Sequence, residues 1–294
     1  MSGERSLHET RVAIGALLAG ALVWGLIWYP YRVLRDAGVD GVMASTATYA
    51  IALVLGLLFF RRAWRGFTPS WSLLWLALAA GACNLGYVLA TLNGEIMRVL
   101  LLFYLAPLWT VLLSRALLGE RLDRYCALVV LLSLAGAATM LWQAHLGLPL
   151  PQNGADWLGL GAGLAFALFN VLSRRAQNLS IESKSLAAFC GVVVLGGLLL
   201  LAGFGKVQQA PDAMTCLLLA LIGAVLVVVN LLVQYGLARV AANRAIVIML
   251  TEIGFAAVSS WLLASEALGP RELLGGAMIV AASLFSAKLE TREI

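Results

Sequence analysis

The chain contains ten runs of about twenty mostly apolar residues, the length that an α-helix needs to cross a bilayer. Charged residues or Pro and Gly separate the runs, which cover residues 12–32, 41–60, 71–92, 96–118, 125–143, 156–173, 185–203, 213–238, 244–264 and 271–288. Only 12% of the 294 residues are charged, about half the share found in soluble domains. The outer surface must therefore face lipid, and we predict an all-α integral membrane protein with ten transmembrane helices.

The distribution of basic residues predicts the orientation of these spans, because cytoplasmic loops carry an excess of Lys and Arg. With the N-terminus in the cytoplasm, every Lys and Arg falls on the cytoplasmic side except Arg32, Arg35, Arg98, Lys206 and Arg271. The first run is too long for the apolar part of a signal peptide. We predict a multi-pass protein of the cell (inner) membrane with both termini cytoplasmic. The scattered cations form no stripe, so they do not indicate a nucleic-acid partner.

The two halves of the chain resemble each other in their scarce polar residues. Three pairs of identical residues, one residue from each half, have the same separation in sequence: Asn84 and Asn230, Arg98 and Arg244, and Glu120 and Glu266. This agreement predicts two five-span repeats, residues 1–146 and 147–294, within one membrane domain. An odd number of spans per repeat inverts the second repeat across the membrane. Inverted repeats are a common basis of alternating access, so the pattern indicates a secondary transporter.

The order of several short motifs resembles the drug/metabolite transporter superfamily, in its EamA-type branch, over essentially the whole chain. These motifs are Trp24-Gly25 in the first span, Arg32 at its outer end, Pro107 in the fourth span, Gly119-Glu120 at its end, and Ser265-Glu266 after the ninth span. The chain departs from the pattern in its second half, where Ile253 takes the place of Pro107. Within the superfamily the chain is most similar to bacterial exporters of aromatic amino acids. The resemblance implies export of such amino acids and related metabolites.

Polar and aromatic residues inside the spans are the candidates for substrate binding, because such groups are costly in lipid unless they face a cavity or a partner. They recur at helical spacing, so those of one span share a face. The candidates are Trp24, Trp28, Asn84, Tyr87, Tyr104, Trp109, Phe166, Asn170, Asn230 and Gln234. We expect them to line a cavity near the midplane whose aromatic faces suit a flat apolar group. The alternatives stay open: the two Asn residues could bond across a helix pair, and the Trp residues could pack or anchor.

Glu252 is the most informative single residue, since it lies roughly 12 Å along the ninth span at about 1.5 Å per residue. A carboxylate at that depth is protonated, paired, or open to a water-filled cavity. We expect it to bind a substrate ammonium or to carry a coupled proton; a structural carboxyl that is protonated or paired with Arg is the alternative. Pro107 removes a backbone hydrogen bond and predicts a kink or hinge in the fourth span.

The sequence offers no motif for catalysis. It contains no P-loop, and its two histidines, His8 and His145, lie outside the spans. We therefore predict a transporter that is not an enzyme and that needs no metal or cofactor, with a small-molecule substrate and the lipid bilayer as its partners. The nearest rival is a multidrug exporter of cationic aromatic compounds. An intramembrane enzyme, which would need catalytic groups, or a receptor, which would need a reason for inverted duplication, is a weaker alternative.

Overall fold

The computed structural model describes residues 2–61, 70–94, 96–120, 124–142, 150–205, 211–264 and 269–290. These residues form thirteen helices and, within the described ranges, no β-strand. The helices are α1 (Ser2–Leu26), α2 (Trp28–Asp36), α3 (Gly41–Phe59), α4 (Trp71–Asn93), α5 (Ile96–Phe103), α6 (Ala106–Leu118), α7 (Arg124–Leu141), α8 (Gly154–Arg175), α9 (Ile181–Leu201), α10 (Ala213–Leu237), α11 (Ala242–Met249), α12 (Thr251–Ala264) and α13 (Pro270–Glu290). The predicted repeat boundary at residues 146 and 147, and the motif residue Glu266, lie outside the described residues.

The helices assemble into ten spans, which confirms the predicted fold class. Spans 1, 4 and 9 each consist of two consecutive helices, α1–α2, α5–α6 and α11–α12, and every other span is a single helix. Within the described residues, nine segments are long and apolar enough to cross a membrane. The tenth span, α13, carries a shorter apolar stretch over residues 273–285. We call the membrane face where span 4 ends and span 9 begins the first face, and the other the second face.

Spans 4 and 9 are broken at equivalent positions. Span 4 breaks at Tyr104 and Leu105, and span 9 breaks at Leu250, which the constant interval between the repeats relates to Tyr104. Pro107 lies in the first turn of α6, where its missing N–H costs little. Span 9 has Ile253 at the equivalent position and still breaks. The break therefore belongs to the repeat, and the proline accommodates it in one copy.

The packing of the spans has the symmetry of an inverted duplication. Span 3 packs against spans 6 and 7 of the second repeat. Span 8, the counterpart of span 3, packs against spans 1 and 2 of the first repeat in the same way. Span 4 packs on span 6 as span 9 packs on span 1, while spans 2 and 7, and spans 5 and 10, pair directly. Exchanging each span for its counterpart five spans later reproduces the same pairs. Because each repeat has five spans, the two-fold axis lies in the membrane plane, and the repeats are inverted.

Glycines allow spans of the two repeats to approach closely. A β-carbon on Gly136 of span 5 would lie 2.8 Å from the Gly275 carbonyl oxygen of span 10, and one on Gly275 would lie 2.5 Å from the Gly136 oxygen. A β-carbon on Gly81 of span 3 would lie 2.6 Å from the Gly191 oxygen of span 7. Helices in lipid associate by such close backbone packing rather than by the hydrophobic effect. These contacts hold the two repeats together.

Candidate functional site

The centre of the candidate site is a hydrogen bond between the two repeats. The Tyr104 hydroxyl donates to Glu252 Oε1 over 3.0 Å. Tyr104 lies at the break in span 4, and Glu252 lies two residues after the break in span 9. Tyr104 is buried and Glu252 is half-buried. The sequence-predicted carboxylate therefore lies where the two broken spans meet, and a tyrosine supplies its partner rather than an arginine.

An aromatic cluster lies beside this carboxyl group. Phe103 contacts Tyr87, Tyr104 and Phe166, with ring centroids 5.1, 5.3 and 5.6 Å apart. The contacts to Tyr87 and Tyr104 are edge-to-face, the geometry that aromatic quadrupoles favour. Phe166 also packs against all three buried apolar clusters of the fold. The structure thus brings Tyr87, Tyr104, Phe166 and Glu252 together, four of the residues predicted from the sequence.

Two residues of this neighbourhood were absent from the sequence-based candidates. Phe103 is the aromatic residue that touches the other three rings, and Cys83 of α4 packs against the apolar cluster that contains Phe103 and Tyr104. Phe103 had a signal in the sequence, since it is an aromatic residue adjacent to Tyr104 and one turn before Pro107. Cys83 had none, because a small thiol in an apolar span is typical of packing.

Four of the predicted substrate-binding residues are Asn or Gln, and three of these side chains have polar atoms without a hydrogen-bond partner among the described residues. Asn170 and Gln234 are buried, and neither their amide nitrogen nor their oxygen has a partner within the described part of the chain. The oxygen of Asn84, one turn from Tyr87 on α4, is likewise unpartnered there. Asn230 instead donates to the Leu226 carbonyl of its own helix over 3.1 Å. A buried polar group without a partner costs free energy, so these amides are candidate ligand contacts.

The three predicted tryptophans occupy different environments. Trp24 packs, partly buried, against the largest apolar cluster, which Phe166 also contacts. Trp28 donates from Nε1 to the Ser259 hydroxyl over 2.9 Å, and Ser259 donates to the Gly25 carbonyl over 3.0 Å. Trp28 therefore joins spans 1 and 9 towards the second face. Trp109, four residues after Leu105, is half-buried with an indole N–H unpartnered among the described residues.

Polar contacts join the spans at both membrane faces. Towards the second face, Arg98 of span 4 and Asp156 of span 6 form a buried ion pair of 2.6 Å. At the first face, Ser114 of span 4 donates to the Asn243 side chain of span 9 over 2.9 Å. Glu120 accepts from the Ala242 backbone N–H over 3.3 Å and so caps α11. The structure thus holds interspan contacts on both sides of the Tyr104–Glu252 pair.

The arrangement offers binding groups rather than a catalytic constellation. Among the described residues, no cluster of three or more His, Cys, Asp or Glu side chains could hold a metal ion. The groups that converge are a carboxyl, aromatic faces and, farther along the spans, carboxamides. Such groups can bind an ammonium and a flat apolar surface by hydrogen bonding, stacking and cation–π attraction.

Comparisons with known proteins point in the same direction. The sequence profile described as the EamA-like transporter family matches residues 11–142 and again residues 153–287, one match for each repeat. An uncharacterized transporter, YojE, from Bacillus subtilis is 24% identical over 79% of this chain and 78% of its own length. An uncharacterized transporter from Archaeoglobus fulgidus is 29% identical over 74% of this chain and 77% of its own length.

Two further relatives extend the comparison. Protein RarD from Salmonella typhi is 24% identical over 60% of this chain, and the match spans 59% of RarD's own length. A protein of known crystal structure superposes with a TM-score of 0.76 and 20% identity, covering 94% of this chain and 98% of that chain. At that identity, the superposition supports the fold alone.

Proposed function

The chain belongs to the EamA-like transporter family, and we propose that it exports aromatic or other hydrophobic amino acids and related metabolites by alternating access. In this proposal the protein lies in the inner membrane, both termini and the first face are cytoplasmic, and the second face is external. The solute crosses without chemical conversion. The excess of Lys and Arg at the first-face ends of the spans supports this orientation.

The observation that carries the proposal is the Glu252 carboxyl, bound by Tyr104 at 3.0 Å beside the Phe103 cluster. An ionisable group inside a membrane span is costly and marks a candidate functional site. One oxygen of Glu252 accepts from Tyr104, so the other can accept a hydrogen bond from a substrate ammonium. The neighbouring rings then stack on the substrate's apolar side chain. The carboxyl and the rings together favour a solute that carries both an amine and an aromatic or large aliphatic group.

The buried amides favour an amino acid over a plain cation. Asn170, on the same stripe as Phe166, and Gln234 each retain two N–H donors and an acceptor without a partner in the described residues. A substrate carboxylate can accept from such donors, whereas a cationic aromatic compound need not carry a carboxylate. The second candidate, export of cationic aromatic compounds, rests on the same Glu252 and rings through cation–π attraction. It provides no carboxylate for the amide N–H groups.

The inverted repeats support the alternating-access part of the proposal. Spans 4 and 9 break at equivalent residues, meet at the Tyr104–Glu252 pair, and are joined to other spans at both faces. Each repeat can adopt the shape of the other, which opens the central site to one face and then to the other. Pro107 and the two breaks are the proposed hinge points. Glu252 could also exchange a proton in this cycle, and the pH dependence of transport decides whether it does.

Counterflow in proteoliposomes tests the proposal. Vesicles loaded with unlabelled phenylalanine should accumulate labelled phenylalanine faster than protein-free vesicles, and leucine should compete while glutamate should not. Faster counterflow of a dye-like aromatic cation, with none for any amino acid, would favour the multidrug exporter. Counterflow of neither class would contradict the proposed substrates. Repeating the assay from acidic to alkaline pH with wild type and Glu252→Gln tests proton coupling, since a coupled carboxyl requires that the variant lose the wild-type pH dependence.

A further inference from the structure

Helix α11, the first-face half of span 9, makes contacts that its counterpart in span 4, α5, does not make. The repeat symmetry pairs spans 3, 5 and 6 around α5 with spans 8, 10 and 1 around α11, and both sets of contacts are present. In addition, α11 packs against α6, α7 and α8. Within the described residues, α5 makes no comparable contact with α12, α13 or α1, the counterparts of those three helices. Spans 4 and 9 are therefore packed together at the first face and not at the second.

The burial of one stripe of side chains shows the same difference between the faces. Ala106, Thr110 and Ser114 follow one another at four-residue spacing on α6, so they share a face of that helix. Each of the three is at most 1% exposed. The residues that correspond to Ala106 and Thr110 in the second repeat are Glu252 and Ala256 of α12, and both are half-buried. The stripe is thus sealed on the first-face side and partly accessible on the second-face side.

Polar groups of span 4 hold the N-terminus of α11 at the first face. This helix begins without a capping side chain of its own, because Ala241 occupies the N-cap position. Glu120 of span 4 supplies the cap, since its two oxygens accept from the Ala242 backbone N–H over 3.3 Å and from the Asn243 amide over 3.4 Å. The Asn243 side-chain oxygen accepts in turn from Ser114 over 2.9 Å. A carboxylate in this position satisfies N–H groups that the helix leaves unpaired and interacts favourably with the helix dipole.

We propose that Glu120 is the latch that keeps the first face closed, and that α11 must leave Glu120 before the first face opens. In α10, by contrast, the capping carboxylate is that of Asp212, the residue immediately before the helix, which accepts from Thr215 over 2.8 Å. The cap of α11 joins the two repeats, so it forms only while spans 4 and 9 are packed together at this face. The inference rests on the alternating-access part of the proposed function and does not depend on which solute is carried.

Labelling of single cysteines with a charged, membrane-impermeant maleimide tests the latch in the full chain in nanodiscs, where both faces meet water. The four native cysteines are replaced, and the reporter is either Thr110→Cys or Ala256→Cys. With Glu120 intact, Ala256→Cys should react and Thr110→Cys should be protected. Glu120→Ala should raise the labelling rate of Thr110→Cys about fivefold, as expected for loss of a helix cap. Glu120→Gln, which keeps an acceptor but loses the charge, should raise it about twofold.

Asp212→Ala is the matched control, because it removes a carboxylate cap from α10 and should leave the labelling of Thr110→Cys unchanged. If Glu120 only stabilises the fold, Glu120→Ala lowers the melting temperature without exposing Thr110→Cys, and the inference is wrong. Equal labelling of the two reporters with Glu120 intact would also overturn it, as would equal effects of Asp212→Ala and Glu120→Ala. If Glu120→Ala does not fold, Glu120→Gln decides. The labelling needs no substrate, so a negative result here leaves the outcome of the counterflow assay unaffected.

Discussion

Replacement of Glu252 by Gln should weaken binding of an aromatic amino acid by removing the group that receives its ammonium. A hydrogen bond to a charged partner contributes about 1.5–3 kcal/mol, which corresponds to a loss of about 10- to 150-fold in affinity. Gln keeps the size of the side chain and can still accept from the Tyr104 hydroxyl at the observed 3.0 Å. The variant therefore tests the carboxylate charge while it preserves the contact between the repeats.

The assay compares two ligands on one protein. Tryptophan fluorescence or calorimetric titration in detergent gives the dissociation constants of phenylalanine and of 3-phenylpropionate, which has the same ring and carboxylate but no ammonium. Glu252→Gln should weaken the binding of phenylalanine about 10- to 150-fold and leave the dissociation constant of 3-phenylpropionate unchanged. Glu9→Gln, at an exposed position on α1, is the control and should change neither constant. Equal losses for both ligands, or no loss for phenylalanine, would refute the proposed role of Glu252.

Three further predictions concern the ion pair and helix packing that support the site, and the Tyr104 hydroxyl within it. Arg98→Gln breaks a buried ion pair of 2.6 Å and should destabilise the protein by about 3–5 kcal/mol. Its control is Arg35→Gln, which breaks an exposed pair of 3.6 Å and should change stability by at most about 1 kcal/mol. Equal shifts of the two variants in thermal unfolding would contradict this prediction. Gly191→Ala should lower the melting temperature, because the added β-carbon would overlap the Ala77 backbone, whereas a β-carbon on Gly197 would have no such neighbour within 4 Å and Gly197→Ala should be tolerated. Tyr104→Phe removes the donor to Glu252 and should lower the counterflow rate, whereas Tyr125→Phe, exposed on α7, should have no effect; equal rates for the two variants would disprove the assignment.

The sequence predicted the spans and the duplication because lipid imposes strong rules on composition. Apolar runs of about twenty residues marked the helices, and scarce residues such as Asn84 and Asn230 exposed the repeat. The span breaks were harder to predict, because the only local signal was Pro107. Leu250 breaks the equivalent span without a proline, so its conformation follows from the packing of the repeat and not from its own residue type.

The candidate site was predictable by residue type but not by partner. A carboxyl in span 9 and aromatic residues in spans 3, 4 and 6 were visible as costly or conspicuous groups in apolar runs. The pairing of Tyr104 with Glu252 depends on contacts between distant segments, which a single sequence does not encode locally. The same reason explains why Phe103 was absent from the candidates and why Trp28, which bonds to Ser259, was grouped with residues deeper in the fold.

The central claim is that the two repeats open alternately around the Tyr104–Glu252 pair, and reversible cross-linking at each face tests it most directly. In a background in which the four native cysteines are replaced, Cys pairs at Trp28 and Ser259, or at Ser114 and Asn243, would be joined by a short, reducible thiol cross-linker. Both contacts measure 2.9 Å in the structure. Either cross-link should stop counterflow, and reduction should restore it. Undiminished counterflow with either pair fully cross-linked would contradict this claim.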